Sequence, residues 1–141
     1  MGFNVLIVDD SAAIRKIIKK TILISGFDVE NFYEAGNGKE AFNILKDNWV
    51  DVVLTDIHMP EMGGITLLKK IREDDVLSSL PVIVISTEGR EQKVKEALNL
   101  GANGYIKKPF KPEDIKDILL KVMGEEYVRK EDFGTVGECD F

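Results

Sequence analysis

The sequence predicts an α/β fold: a single doubly wound domain of five βα units, with a parallel five-stranded sheet as the middle of three layers, α/β/α. Two observations predict it. Short apolar runs with strand character alternate along the chain with longer stretches whose apolar residues recur at helical spacing. The apolar runs are also continuous rather than alternating, as expected of strands covered on both faces.

The first strand is read at Val5-Leu6-Ile7-Val8, followed by a helix whose face carries Ile14, Ile17, Ile18 and Ile22. The second run, near Asn31 to Ala35, is more polar and suits an edge strand. After Gly38, Ala41, Ile44 and Leu45 mark the second helix. Val52-Val53-Leu54 is the third strand, and Leu67, Leu68 and Ile71 follow Gly63-Gly64 on the third helix. Val82-Ile83-Val84-Ile85 is the fourth strand, and Val94, Ala97 and Leu98 mark the helix after it. Gly104-Tyr105-Ile106 is a weaker fifth strand, and Ile115, Ile118, Leu119 and Val122 share the last helix face. Pro112 fits the first turn of that helix, where a missing N–H does no harm. Gly26, Gly101 and Gly124 stand where helices should stop. Crossovers between parallel strands are expected to be right-handed.

Composition narrows the function. With 44% of its 141 residues apolar and 31% charged, the chain can bury a core, which excludes a mainly disordered protein. Its apolar runs are of strand length, far short of the ~20 residues a membrane span requires. The amino terminus shows neither a basic segment nor a long apolar one, so no signal peptide is expected and the protein is read as cytoplasmic. A single cysteine, Cys139, and a single histidine, His58, exclude a disulfide framework, a cysteine metal cluster and a multi-histidine zinc site. The formal charge of −6 argues against nucleic acid as a partner. Residues 124–141 hold six acidic and two basic side chains, so they read as a weakly ordered acidic tail after a domain spanning residues 1–123. Within that tail, Cys139 reads as an inert thiol and Tyr127, Phe133 and Phe141 as parts of a disordered end.

The chemistry lies where the strands stop. The first ends in Asp9-Asp10 and the third in Asp56, followed by Ile57-His58-Met59-Pro60. The fourth ends in Ser86-Thr87 and the fifth in Lys107-Lys108-Pro109-Phe110. In a parallel sheet these stops share one edge, the edge where ligands collect. Three carboxylates at close range repel, and a hard divalent cation such as Mg²⁺ relieves the repulsion because it takes oxygen ligands and retains waters. A cation, an ammonium and a hydroxyl together suit the oxygens of a phosphoryl group. An aspartate can accept that group as an acyl phosphate.

The set Asp9-Asp10, Asp56 with Met59-Pro60 and Gly63-Gly64, Ser86, Gly101-Ala102, Tyr105 and Lys108-Pro109-Phe110 resembles the receiver domain of two-component response regulators, most of all the stand-alone chemotaxis (CheY-like) type. The resemblance covers roughly residues 3–123. It implies a flavodoxin-like sheet of order 2-1-3-4-5. It implies Asp56 as phospho-acceptor, and Mg²⁺ (or Mn²⁺) held by Asp9, Asp10, Asp56 and the backbone carbonyl of His58. Lys108 is then the contact to the phosphoryl group and Asp56, Ser86 the hydroxyl that bonds a phosphoryl oxygen, and Tyr105 the aromatic switch. The Lys108-Pro109 bond is expected to be cis. The side chains of His58, Thr87 and Glu88 are placed at the pocket mouth as modulators of phosphate lifetime. The implied protein is a monomer that catalyses only its own phosphorylation and dephosphorylation. It receives the group from a sensor histidine kinase or phosphotransfer protein. It signals through a protein target on the helix 4–strand 5–helix 5 face, in chemotaxis the flagellar motor switch.

Plainer readings stand beside these. Asp10 could cap the first helix, Ser86 or Thr87 could cap the fourth, and Tyr105 could be an ordinary half-buried aromatic. His58 is a poor side-chain ligand for Mg²⁺. A phosphorelay shuttle would carry the same acidic set, and a degenerate receiver would act by contact alone. A phosphatase of the haloacid dehalogenase kind needs aspartates two residues apart after the first strand, whereas Asp9 and Asp10 are adjacent. A P-loop enzyme is excluded by the missing G-x-x-x-x-G-K-[ST].

Overall fold

The computed structural model describes residues 2–87 and 89–124. Five βα units follow one another: β1 (Phe3–Val8), α1 (Ala12–Ile24), β2 (Val29–Ala35), α2 (Gly38–Asp47), β3 (Val52–Thr55), α3 (Gly64–Glu73), β4 (Val82–Ser86), α4 (Glu91–Asn99), β5 (Gly104–Lys107) and α5 (Pro112–Met123). All strand pairs are parallel and the order is β2-β1-β3-β4-β5. The order reverses beside β1, so the carboxyl ends of β1 and β3 flank the crevice where such sheets bind ligands.

The continuous apolar runs are explained by burial on two sides. Successive side chains of a strand point to opposite faces. Phe3, Val5 and Ile7 of β1 pack with Ile18, Ile22, Ile115 and Leu119 of α1 and α5. Leu6 and Val8 pack with Ala41, Leu45, Leu67, Leu68 and Ile71 of α2 and α3. A third, small cluster joins Ile57 and Val84 to Ala97, the only buried residue of α4. Of the acidic tail read at residues 124–141, residues 125–141 lie outside the described residues.

Local sequence accounts for most boundaries. Ser11 caps α1, its hydroxyl accepting from the Ile14 N–H at 3.2 Å, so the cap is Ser11 and not Asp10. Neither Ser86 nor Thr87 caps α4, whose cap position is Arg90. Pro112 opens α5 as expected. Gly26 and Gly101, with φ of 91° and 103°, follow α1 and α4 in the left-handed region that ends a helix without a Cβ clash.

Two helix faces differ from the pattern. Ile17 is 51% exposed, and the buried place beside Ile18 and Ile22 goes to Thr21. Thr21 tolerates burial because its hydroxyl donates to the Ile17 carbonyl at 2.8 Å, one turn back. Leu98 is likewise exposed, because α4 covers the sheet with a single residue, Ala97.

Candidate functional site

The strand ends bring Asp9, Asp10 and Asp56 together, with one carboxylate oxygen from each lying within 4.8 Å of the others. β1 delivers Asp9 and β3 delivers Asp56, because these strands are neighbours whose register pairs Val8 with Thr55. The Asp56 N–H donates to the Val8 carbonyl at 2.9 Å, extending the pairing one residue past the strand and locking the two acids side by side. The three are not equivalent: Asp9 is 2% exposed, Asp56 half-buried and Asp10 open to solvent.

Each buried oxygen has a donor. Asp9 Oδ1 accepts the Ser11 N–H at 2.9 Å, and Asp56 Oδ1 accepts the Ile57 N–H at 2.7 Å. Lys108 comes from beyond β5 and its Nζ lies 2.8 Å from Asp9 Oδ2 and 3.5 Å from Asp56 Oδ2. The ammonium thus bridges both acids but sits nearer Asp9, whereas the resemblance implied Asp56 as its partner. Burial is the reason. A nearly inaccessible carboxylate has the larger desolvation penalty, so the cation compensates it first. Lys108 is aimed by its backbone, whose N–H donates to the Ser86 carbonyl at 2.8 Å. Its bond to Pro109 is cis, as expected.

An oxygen set of two or three carboxylates around an open side fits a hard divalent cation. Along the loop, Asp56 O accepts the Thr55 hydroxyl at 2.9 Å, and Ile57 O accepts the Gly64 N–H at 2.9 Å. The His58 side chain is exposed, as is Thr87, and Glu88 lies outside the described residues.

Ser86 ends β4 fully buried, beside the strand that carries Asp56. Tyr105 pairs in register with Val84 and is half-buried against the cluster of Ile57, Val84 and Ala97. Its other side borders a surface groove of about 420 Å³ between β5 and α5.

Arg15 escapes sequence reasoning, and Gly64, read in the sequence only within the Gly63-Gly64 pair, has a closer tie to the site. Arg15 donates through Nη1 to the Asp9 carbonyl and through Nε to Glu34 Oε1 at 2.9 Å, so it braces the acid pair from α1. Gly64 starts α3 so close to the Asp56 carbonyl that a Cβ there would overlap its oxygen. Gly64→Ala is therefore expected to displace the Asp56 backbone and to lower stability by about 2 kcal/mol, read by urea unfolding. Unchanged stability would show that the loop gives way freely.

The chain belongs to the response regulator receiver domain family, whose model matches residues 5–120. Its likeness is to the CheY-like, chemotaxis branch. It is 44% identical over 122 residues to the chemotaxis protein CheY1 of Helicobacter pylori, covering 86% of this chain and 97% of that one. The solved structure of the chemotaxis response regulator CheY4 of Vibrio cholerae superposes with a TM-score of 0.78 at 31% identity, over 87% of this chain and all of that one. A CheY from Borrelia burgdorferi, solved in a CheX-CheY-BeF3-Mg complex, matches with a TM-score of 0.73 at 38% identity, over 85% and 88% of the two chains. Among the described residues, no helix is long and apolar enough to cross a membrane.

Proposed function

We propose that this receiver accepts a phosphoryl group on Asp56 from a phosphohistidine of a sensor kinase or phosphotransfer protein and signals by altered protein binding in chemotaxis. The observation that carries the proposal is the convergence of Asp9, Asp10 and Asp56 with the Lys108 ammonium 3.5 Å from Asp56 Oδ2. Asp56 Oδ2 is the freer oxygen, since Oδ1 is held by the Ile57 N–H. It attacks phosphorus, the P–N bond breaks, and the imidazole leaves with the electron pair and takes up a proton. The product is an acyl phosphate. Asp9, Asp10, Asp56 and the His58 carbonyl would hold Mg²⁺ or Mn²⁺. When bound, the cation neutralises the acids and the phosphoryl oxygens. Lys108 supplies a fixed positive charge to the same oxygens. Water later attacks phosphorus and regenerates the carboxylate, so the only reactions catalysed are the domain's own modification and its reversal.

The output follows from added charge. The phosphoryl group brings about one to two negative charges and strong acceptors to the end of β3, beside the end of β4. Ser86 turns its hydroxyl toward it, shifting the loop that leads to α4. α4 is the helix most easily moved, because it buries only Ala97. Tyr105 lies beneath that helix and repacks with it, changing the α4–β5–α5 face offered to a target protein. The Borrelia complex with CheX, BeF3 and Mg supports this reading by likeness. Mass spectrometry after acetyl phosphate treatment in Mg²⁺ is expected to show one added phosphoryl group on the wild type, none on Asp56→Asn, and none when Mg²⁺ is chelated. An unlabelled wild type would leave a domain acting by contact alone.

A further inference from the structure

We propose that a groove at the opposite, amino-terminal edge of the sheet is a docking site for a protein segment that presents a bulky apolar side chain flanked by lysine or arginine. The groove has a volume of about 480 Å³ and lies between the α2–β3 and α3–β4 loops. Asp51 lines it and immediately precedes β3, whereas Asp56 follows that strand, so the groove is a full strand's length from the acidic pocket.

Its lips are apolar and held in place. Trp49 is 74% exposed and Val76 81% exposed. The Trp49 indole does not swing freely: its Nε1 donates to Asp51 Oδ1 at 2.9 Å, and its carbonyl accepts from Asn4 Nδ2 at 2.8 Å. Asp51 Oδ2 is in turn fixed by the Asn4 N–H at 2.7 Å. The Val76 N–H is held by Asp74 Oδ1 at 2.8 Å. An exposed tryptophan already ordered by hydrogen bonds loses little entropy on binding, the property of an interface anchor.

Charge selects the partner. α2 and α3 both direct their carboxyl ends at this edge, ending in Asp47 and Glu73. Helix carboxyl ends carry negative partial charge and are stabilised by cations. Here Asp47, Glu73 and Asp75 stand at or just beyond them, exposed and without an ion-pair partner among the described residues. Of these acids Asp47 lines the groove, and Glu73 and Asp75 stand outside its lining. The cations of the same last turns are engaged elsewhere: Arg72 by the carbonyls of Ser78, Leu80 and Gly101, and Lys46, at the groove's lip, and Lys70 over the Phe42 ring at 5.1 Å and 5.7 Å. Acids at the wrong end of two helices are a local conflict of the kind that marks functional surfaces. Basic residues flanking an apolar anchor would relieve it.

Trp49 is the only tryptophan of the chain, so its fluorescence reads occupancy directly. The probes are blocked heptapeptides with Leu, Phe, Ile or Met at the centre and lysines on both sides. Controls replace the centre by serine or the lysines by glutamates. Saturable blue-shifted emission is expected with at least one lysine-flanked apolar peptide, about tenfold tighter than with either control, weakening with salt. Val76→Ser, an exposed position that leaves the core intact, is expected to cost about tenfold in affinity, as is the pair Asp47→Lys with Asp75→Lys. No response from any apolar peptide, equal response to the serine control, or indifference to Val76→Ser would overturn the proposal. So would an emission shift with protein concentration alone, matched by dimer in sedimentation, since a second copy would then fill the groove.

Discussion

Lys108→Met is expected to destabilise the protein by about 3 kcal/mol in chelator, because it leaves a buried carboxylate without its counter-charge. Asp9 and the Lys108 side chain are both largely buried, with their charged atoms 2.8 Å apart. Methionine keeps the apolar stem and removes only the ammonium. Asp9 Oδ2 then faces Asp10 and Asp56 with no cation between them. Urea unfolding measures the loss. Adding Mg²⁺ is expected to return part of it, since any ligand that binds only the folded chain stabilises it by mass action. A loss under 1 kcal/mol would mean that Asp9 does not depend on Lys108. Full loss with no response to Mg²⁺ would detach the acids from cation binding while leaving the ion pair intact as a structural feature.

Arg72→Ala is expected to lower stability by roughly 2–3 kcal/mol through a different mechanism. The guanidinium donates to Gly101 O at 2.7 Å and 3.2 Å, to Leu80 O at 2.7 Å, to Ser78 O at 3.1 Å and to Asn103 Oδ1 at 3.0 Å. Asn103 Oδ1 also accepts the Val82 N–H at 2.9 Å, so one side chain ties the end of α4, the α3–β4 loop and the start of β4 together. Burial lowers the Arg72 pKa from its ordinary value, and the charge is compensated by carbonyl dipoles instead of a carboxylate. A guanidinium stays charged through the neutral range, so the clamp holds there. Lysine cannot span the same acceptors, and Arg72→Lys is expected to recover less than half of the loss in the same unfolding measurement. Full recovery by lysine would show that charge alone, and not the planar fork, holds the clamp. The clamp also fixes the carboxyl end of α4.

Much of this was legible in the chain. The strand ends named Asp9, Asp10, Asp56, Ser86 and Lys108 because each continuous apolar run gives way to polar residues at the sheet's carboxyl edge, where Asp9 and Ser86 are nonetheless buried. The alternation of periods fixed parallel strands, and the order followed only from resemblance, since period says nothing about which strands are neighbours. Arg15 and Arg72 were not legible, because each acts through backbone carbonyls whose identity no local pattern encodes, and Gly64 was named only within the Gly63-Gly64 pair, without its close approach to the Asp56 carbonyl. Ile17 misled because a hydrophobic spacing defines a face only to within a residue or so, and Thr21 took the buried place by bonding its own helix.

The sequence by itself determined which side chains stand at the sheet's edge and what chemistry they can do, because strand length and burial are local consequences of composition. Only the tertiary structure decided that Lys108 leans on Asp9 more than on Asp56, and that Trp49 and Val76 face each other's loops across a groove. Those outcomes depend on distances between residues far apart in the chain, set by how the sheet twists and the helices pack, and spacing along a sequence carries no such distances.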